Sequence, residues 1–223
     1  MEKDKLYVSE IFHSFQGEGL NSGLNTIFLR LSECNLNCKY CDSKYHWDGK
    51  IMEIDEVLFE IKKYKSDSLT ITGGEPLLQQ EPLVKLLTQL KEKHIVIETN
   101  GTLMPDSNLI DLVNHFSVSP KLASTENKIE DRMNYDVLLY YNTLPVEKSI
   151  FKFVIADQKD FEEVQFLQDQ LKINNRKIYL MKEGMTAEKQ YVGIKEFISM
   201  CIEAGYNFSP RLHIMIYDNE RGV

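Results

Sequence analysis

The sequence is poor in several features that would each place a protein in a familiar class. It has no apolar run approaching the roughly 18–20 residues that a membrane-spanning helix requires. It has no excess of basic residues: 26 Lys and Arg stand against 34 Asp and Glu, a formal net charge of -8. That removes the electrostatic footprint of a nucleic-acid or anionic-membrane binder, while leaving room for a local cationic pocket. It has no Pro/Gly-rich linker, no low-complexity tract and no short-period repeat. Its first residues, MEKDKLYVSE, are charged where a secretory leader would be apolar, so a cytoplasmic protein is expected. Cysteine is scarce, with only four in 223 residues. In a reducing compartment a disulfide framework is therefore not expected, and any cluster of cysteines points to metal binding or catalysis. What is present in quantity is apolar residues, 43% of the chain. That suffices for one buried core, and a single domain over residues 1–223 is the expectation.

The apolar residues alternate between two periods. Short runs rich in β-branched and aromatic side chains predict strands at Thr26–Ser32, Leu69–Thr72, His94–Thr99, Phe116–Pro120, Ile150–Ile155 and Lys177–Met181. Between them lie helical stripes: Ile54, Val57, Leu58 and Ile61; Leu83, Leu86, Leu87 and Leu90; and, near the C-terminus, Ile194, Phe197, Ile198 and Cys201. Strand alternating with helix predicts an α/β fold built on a parallel sheet with right-handed crossovers. Six strands are too few for a complete eight-stranded barrel, so a partial (β/α) barrel is expected. The polar stretch Lys121–Asp136 reads as a loop over one face.

In such folds, sites form beyond the carboxyl ends of the strands. Those ends carry SECNLNCKYC, TGGEP, ETNG and SPK. Each motif alone also suits an ordinary turn; their convergence on one rim is the stronger signal. Three of the four cysteines, Cys34, Cys38 and Cys41, fall in one segment, while Cys201 sits in an apolar helical stripe and reads as a core residue. Three thiolates could form a closed structural zinc site with His46 as fourth ligand. Alternatively, they could leave one metal position open.

The Cys-x3-Cys-x2-Cys loop after the first predicted strand, followed by Gly73, Gly74, Glu75 and Pro76 after the second, resembles the radical S-adenosylmethionine (SAM) superfamily. The resemblance implies a [4Fe-4S] cluster held by Cys34, Cys38 and Cys41. SAM would chelate the fourth iron and, on reductive cleavage, yield a 5′-deoxyadenosyl radical. It also implies SAM contacts from Tyr40, Asp42, Gly74, Glu75, Ser119, Pro120 and Lys121, with the two glycines admitting close backbone approach and Glu75 receiving the SAM ammonium.

Further motifs narrow the family. FHSFQGEG precedes the first predicted strand, CDS follows the third cysteine, and RLHIMIYDNERGV closes the chain. Together with the short length, these resemble the 7-carboxy-7-deazaguanine synthases. That family is a set of radical SAM lyases that contract 6-carboxy-5,6,7,8-tetrahydropterin with loss of ammonia, on the route to queuosine and other 7-deazapurines. The resemblance implies a Mg²⁺ on the Ser43 hydroxyl. It implies substrate contacts from Phe15, Gln16, Gly17, Glu18, Arg30, Thr72, Glu98 and His213, an electron donor such as flavodoxin or ferredoxin, and a homodimer. Arg30 also has a reading of its own. It shares a strand face with Phe28, opposite Ile27, Leu29 and Leu31, and if that face is interior the cation needs an anion such as a substrate carboxylate. A radical SAM activase acting on a partner polypeptide, and a non-catalytic zinc module, are the alternatives.

Overall fold

The computed structural model describes residues 4–218 and 220–223, with the side chains of residues 45 and 46 outside the description. Among the described residues, the strands are β1 Lys5–Phe15, β2 Asn25–Leu31, β3 Lys50–Glu53, β4 Ser68–Gly73, β5 His94–Thr99, β6 His115–Val118, β7 Ser149–Ile155, β8 Ile178–Lys182 and β9 Asn207–Phe208. They form one sheet in the order β3-β1-β2-β4-β5-β6-β7-β8-β9. From β2 onward every neighbouring pair is parallel, as crossover connections demand, whereas β1 runs antiparallel to both β2 and β3.

The helices are α1 Ile54–Lys62, α2 Gln80–Thr88, α3 Ser107–Leu112, α4 Ile129–Arg132, α5 Tyr135–Thr143, α6 Gln158–Leu171, α7 Ala187–Tyr191, α8 Ile194–Ala204 and α9 Leu212–Tyr217. Among the described residues no helix is long and apolar enough to cross a membrane. The apolar stripes of α1 and α2 are buried, and in α8 Phe197 and Cys201 are buried as the stripe requires. Each fully buried Leu or Ile contributes about 1.5–3 kcal/mol, so these faces hold the helices on the sheet.

The six expected strands are all present, His94–Thr99 with the expected bounds and the others with ends shifted by at most two residues; β1, β3 and β9 are additions. Both β1 and β3 lie on the antiparallel margin; only Leu6 and Val8 of β1 are buried, the rest of that strand being half-buried or exposed, and β3 has four residues, so neither carries a sustained alternation. The expected loop Lys121–Asp136 is instead partly helical, containing a 3-10 turn at Ala123–Thr125, α4 and the start of α5. Arg132 closes this segment from inside, donating to the Lys121 carbonyl at 2.8 Å and to Glu163 at 2.5 Å.

Strand parity sorts the side chains. Ile27, Leu29, Leu31, Leu69, Ile71, Ile95, Ile97, Phe151 and Phe153 pack into the helix-covered core. The alternate residues face the sheet's concave interior. At the amino ends of the strands that interior is filled by hydroxyls, with Thr26 Oγ1 at 3.1 Å from both Ser68 Oγ and Thr70 Oγ1. At the carboxyl ends it opens into a cavity. The sheet does not close into a barrel; instead, the segment after β9 reaches across to the turn after β1. Leu212 N donates to the Gly17 carbonyl at 2.9 Å, and Gly19 N donates to Ser209 Oγ at 2.7 Å.

Candidate active site

The cavity, of about 280 Å³, is walled by residues from the carboxyl ends of the strands, the cysteine loop and the C-terminal segment. Cys34, Cys38 and Cys41 all lie in its wall, partly exposed and free. Their loop is held by the exits of neighbouring strands. Glu33, just before the first cysteine, takes a left-handed conformation (φ 69°), which costs a non-glycine residue about 1–2 kcal/mol. The Glu33 carbonyl accepts from Glu75 N at 2.8 Å, and Gly74 N donates to the Leu31 carbonyl at 3.0 Å. A Cβ on Gly74 would stand 1.8 Å from the Glu33 oxygen, and one on Gly73 would stand 2.1 Å from the Leu31 oxygen. The glycine pair thus admits the backbone of the cysteine loop itself.

Two asparagines and a threonine extend this support. Asn100, in the ETNG motif, donates to Asn35 Oδ1 at 2.9 Å, and Asn35 donates to Thr102 Oγ1 at 2.8 Å. On the loop's far side Asn127 accepts from Asn37 N at 2.9 Å and donates to Cys38 Sγ at 3.2 Å.

Among the described residues no three His, Cys, Asp or Glu side chains are placed to hold one ion. A tetrahedral zinc would need such convergence, with each sulfur about 2.3 Å from the metal, and His46 as fourth ligand lies outside the described residues. An iron–sulfur cluster makes a different demand, one thiolate per iron across a larger body. Three thiols spread over one cavity wall fit that demand. Burial pushes the Cys34 thiol up to about 11 and raises that of Cys41. Cys34 and Cys41 are therefore neutral thiols in the loop by itself, and bound metal would supply the positive charge that makes them thiolates.

Of the other residues expected near SAM, Gly74, Ser119 and Lys121 line the cavity, with Lys121 Nζ donating to Ser119 Oγ at 2.9 Å. Tyr40 and Asp42 line its outer edge and are exposed. Glu75 and Pro120 stand outside the lining. The Glu75 carboxylate, fully buried, accepts from Leu77 N at 3.0 Å, Thr99 Oγ1 at 2.8 Å and Asn100 N at 2.7 Å. Burial raises its pKa despite these donors. The structure puts Glu75 behind the wall, joining β4 to the ETNG turn.

Ser43 and all eight residues expected at the substrate line the cavity. Arg30 is not waiting for an anion: its Nε donates to Glu10 Oε1 at 2.7 Å, from the residue opposite it on β1, and its guanidinium lies over the Phe12 ring. Glu98 accepts from Thr72 Oγ1 at 2.8 Å and Gln16 Nε2 at 3.4 Å. Two residues that the sequence reading missed organise the rest. Lys152 Nζ donates to Glu18 Oε2 at 2.7 Å and to Glu98 Oε1 at 2.9 Å. Arg211 Nε donates to Glu18 Oε1 at 2.8 Å, Nη1 to the Gly184 carbonyl at 3.2 Å, and Nη2 to Asp42.

Burial opposes the charge on Glu18, but Lys152 and Arg211 outweigh it and hold the carboxyl well below the usual range. Asp42 is likewise lowered, burial being overcome chiefly by Arg211; as its side chain is 47% exposed, solvent screens much of that pair. His213 Nε2 lies 3.8 Å from Glu18, and burial lowers its pKa, favouring neutral imidazole. Lys152 had a visible signal, a lone cation inside the apolar run IFKFVI. Arg211 opens the closing motif RLHIMIYDNERGV, from which only His213 was singled out, and Glu10 had no signal beyond its charge.

Comparison with known proteins decides the family. The Radical SAM superfamily model matches residues 31–139. The chain is 34% identical to the 7-carboxy-7-deazaguanine synthase of Halobacterium salinarum, over 96% of this chain and 91% of that protein. To the 7-carboxy-7-deazaguanine synthase of Pyrobaculum aerophilum it is 33% identical, over 98% and 97%. This chain belongs to the 7-carboxy-7-deazaguanine synthase family. The crystal structure of QueE from Escherichia coli, at 22% identity, shares the fold, with a TM-score of 0.72 over 94% of this chain and 95% of that one. As a radical SAM lyase family, the 7-carboxy-7-deazaguanine synthases use a [4Fe-4S] cluster and SAM. The three-thiol wall described above is compatible with that cofactor set.

Proposed function

We propose that this protein, a single radical SAM core domain over residues 1–223, converts 6-carboxy-5,6,7,8-tetrahydropterin to 7-carboxy-7-deazaguanine with loss of ammonia. The observation that carries the reading is that one cavity combines three thiols with an array of ionised carboxylates and cations suited to a small polar acid. Cys34, Cys38 and Cys41 would hold three irons of the cluster. Tyr40, Asp42, Gly74, Ser119 and Lys121 would border SAM, with Glu75 and Pro120 shaping the wall behind them. When bound, this pair supplies a 5′-deoxyadenosyl radical that abstracts a hydrogen atom from the substrate.

The chain's own residues bind and orient. Arg30, aimed by Glu10, would meet the substrate carboxylate. Phe15, Gln16, Gly17, Glu18, Thr72, Glu98 and His213 would read the donor and acceptor edge of the pterin. Ser43, buried beside Cys41, would offer its hydroxyl to a Mg²⁺ that completes its shell with water and substrate oxygens. A cytoplasmic homodimer reduced by flavodoxin or ferredoxin, with no nucleic-acid or membrane partner, completes the proposal; the net charge of -8 supports the last point.

The test is anaerobic turnover of the iron-reconstituted protein with SAM, a reductant and the carboxypterin. The deazapurine should accumulate. Formation of 5′-deoxyadenosine only when a partner polypeptide is added would overturn the reading in favour of an activase.

A further inference from the structure

One buried cation in the cavity wall has no task in the reading above. Lys152 sits in the middle of β7, 3% exposed, and its ammonium joins two carboxylates from different elements: Glu18 after β1 and Glu98 at the end of β5. Burial alone would drive such a lysine neutral; Glu18 and Glu98 reverse that and hold it charged. The dependence runs both ways. Two carboxylates that touch one nitrogen are close neighbours, and like charges at that range repel unless a cation stands between them.

The two are not equally dependent on Lys152. Glu18 also bonds Arg211, whereas the remaining partners of Glu98 are the neutral Thr72 hydroxyl and Gln16 amide. The other charged or titratable groups facing the cluster are His213 beside Glu18, Asp42 beyond Arg211, His115 on β6, and Arg30 with Glu10 on the adjoining strands. With Lys152 gone, Glu98 would keep only neutral donors among the described residues, whereas Glu18 would keep Arg211. A carboxylate offers about four acceptor positions. The bonds to Glu98 use two on Oε1 and one on Oε2, leaving an Oε2 position on a side chain 21% exposed in the cavity wall.

We propose that Lys152 is a positioning residue that holds the Glu98 carboxylate in place as a hydrogen-bond acceptor for the N–H edge of an aminopyrimidinone ring, so that the site selects ligands presenting donors there. The inference rests on the function proposed above, since the pterin substrate and the deazapurine product both carry that edge.

The test is equilibrium binding of 7-carboxy-7-deazaguanine to the anaerobic holoenzyme by calorimetry. Loss of the contact that fixes Glu98 predicts that Lys152→Met binds about tenfold more weakly than wild type, with iron content unchanged. Lys152→Arg, which keeps the cation, should restore near-normal affinity, and Lys152→Met/Glu98→Gln should bind no more weakly than Glu98→Gln. Unchanged affinity in Lys152→Met, no recovery in Lys152→Arg, or additive losses in the double variant would overturn the role of Lys152 alone. Failure of the wild type to bind the deazapurine would instead overturn the substrate reading, and the proposed ligand with it.

Discussion

Arg211 is as buried as a core leucine, 4% exposed, yet it is charged and tied to three segments at once. Removing one partner of a buried ion pair leaves the other charge uncompensated. Arg211→Ala should therefore cost about 3–5 kcal/mol, read as a lower urea midpoint with unchanged slope; most of the loss belongs to Glu18, because the Asp42 pair is half in solvent. The depressed pKa of Glu18 sets a pH dependence with a definite sign. Its carboxylate contributes stability that is fully present above the ordinary Glu value near 4.3, and that is lost as pH falls through the lower folded value. Glu18→Gln should flatten the acid limb of the stability profile, measured by denaturation at a series of pH values; an unchanged limb would remove Glu18 from that account. At the ligand, Arg30→Ala should weaken carboxypterin binding by about 2–5 kcal/mol while iron content stays at the wild-type level. The cysteines, Glu18, Glu98 and Arg30 were legible because motifs or strand parity singled them out. Glu10 was not, because nothing local marks a charge whose partner lies on a different segment, and Arg211, though it opens the closing motif, has partners that the motif does not name.

At the scale of elements, the cysteine loop depends on strand exits more than on itself. The TGGEP and ETNG motifs, which read in sequence as ligand contacts, are in large part the loop's supports: Gly74 lets Glu33 approach, Glu75 ties the two motifs together, and Asn100 reaches Asn35. Gly74→Ala places a methyl group where the Glu33 carbonyl stands. It should leave helix content and the cooperative melt recognisable, because the core is untouched, but drop iron per chain after reconstitution well below that of wild type. Full iron loading would show that the loop tolerates displacement. The six parallel strands were legible from their apolar runs. The marginal strands β1 and β3 and the two-residue β9 were not, because half-burial along most of β1 and the short length of β3 and β9 leave no periodic signal. The helical character of Lys121–Asp136 was hidden for a related reason: it is fixed by Arg132 reaching Glu163, a contact that no local pattern announces.

At the scale of the molecule, an open sheet is bridged at the rim that carries the cavity. The C-terminal segment crosses from β9 to the turn after β1, and Arg211 carries that crossing to the cysteine loop through Asp42. The half of the cavity that would hold the cofactors and the half that would hold the substrate are thereby one continuous wall, so the geometry of each constrains the other. The most direct measurement of this account is an anaerobic crystal structure of the reconstituted protein with SAM and 7-carboxy-7-deazaguanine. The account predicts a four-iron cluster on Cys34, Cys38 and Cys41, SAM on the remaining iron, and the deazapurine's N–H edge on Glu98 with its carboxylate toward Arg30. A metal saturated by four side chains, or the deazapurine bound away from this cavity, would contradict it.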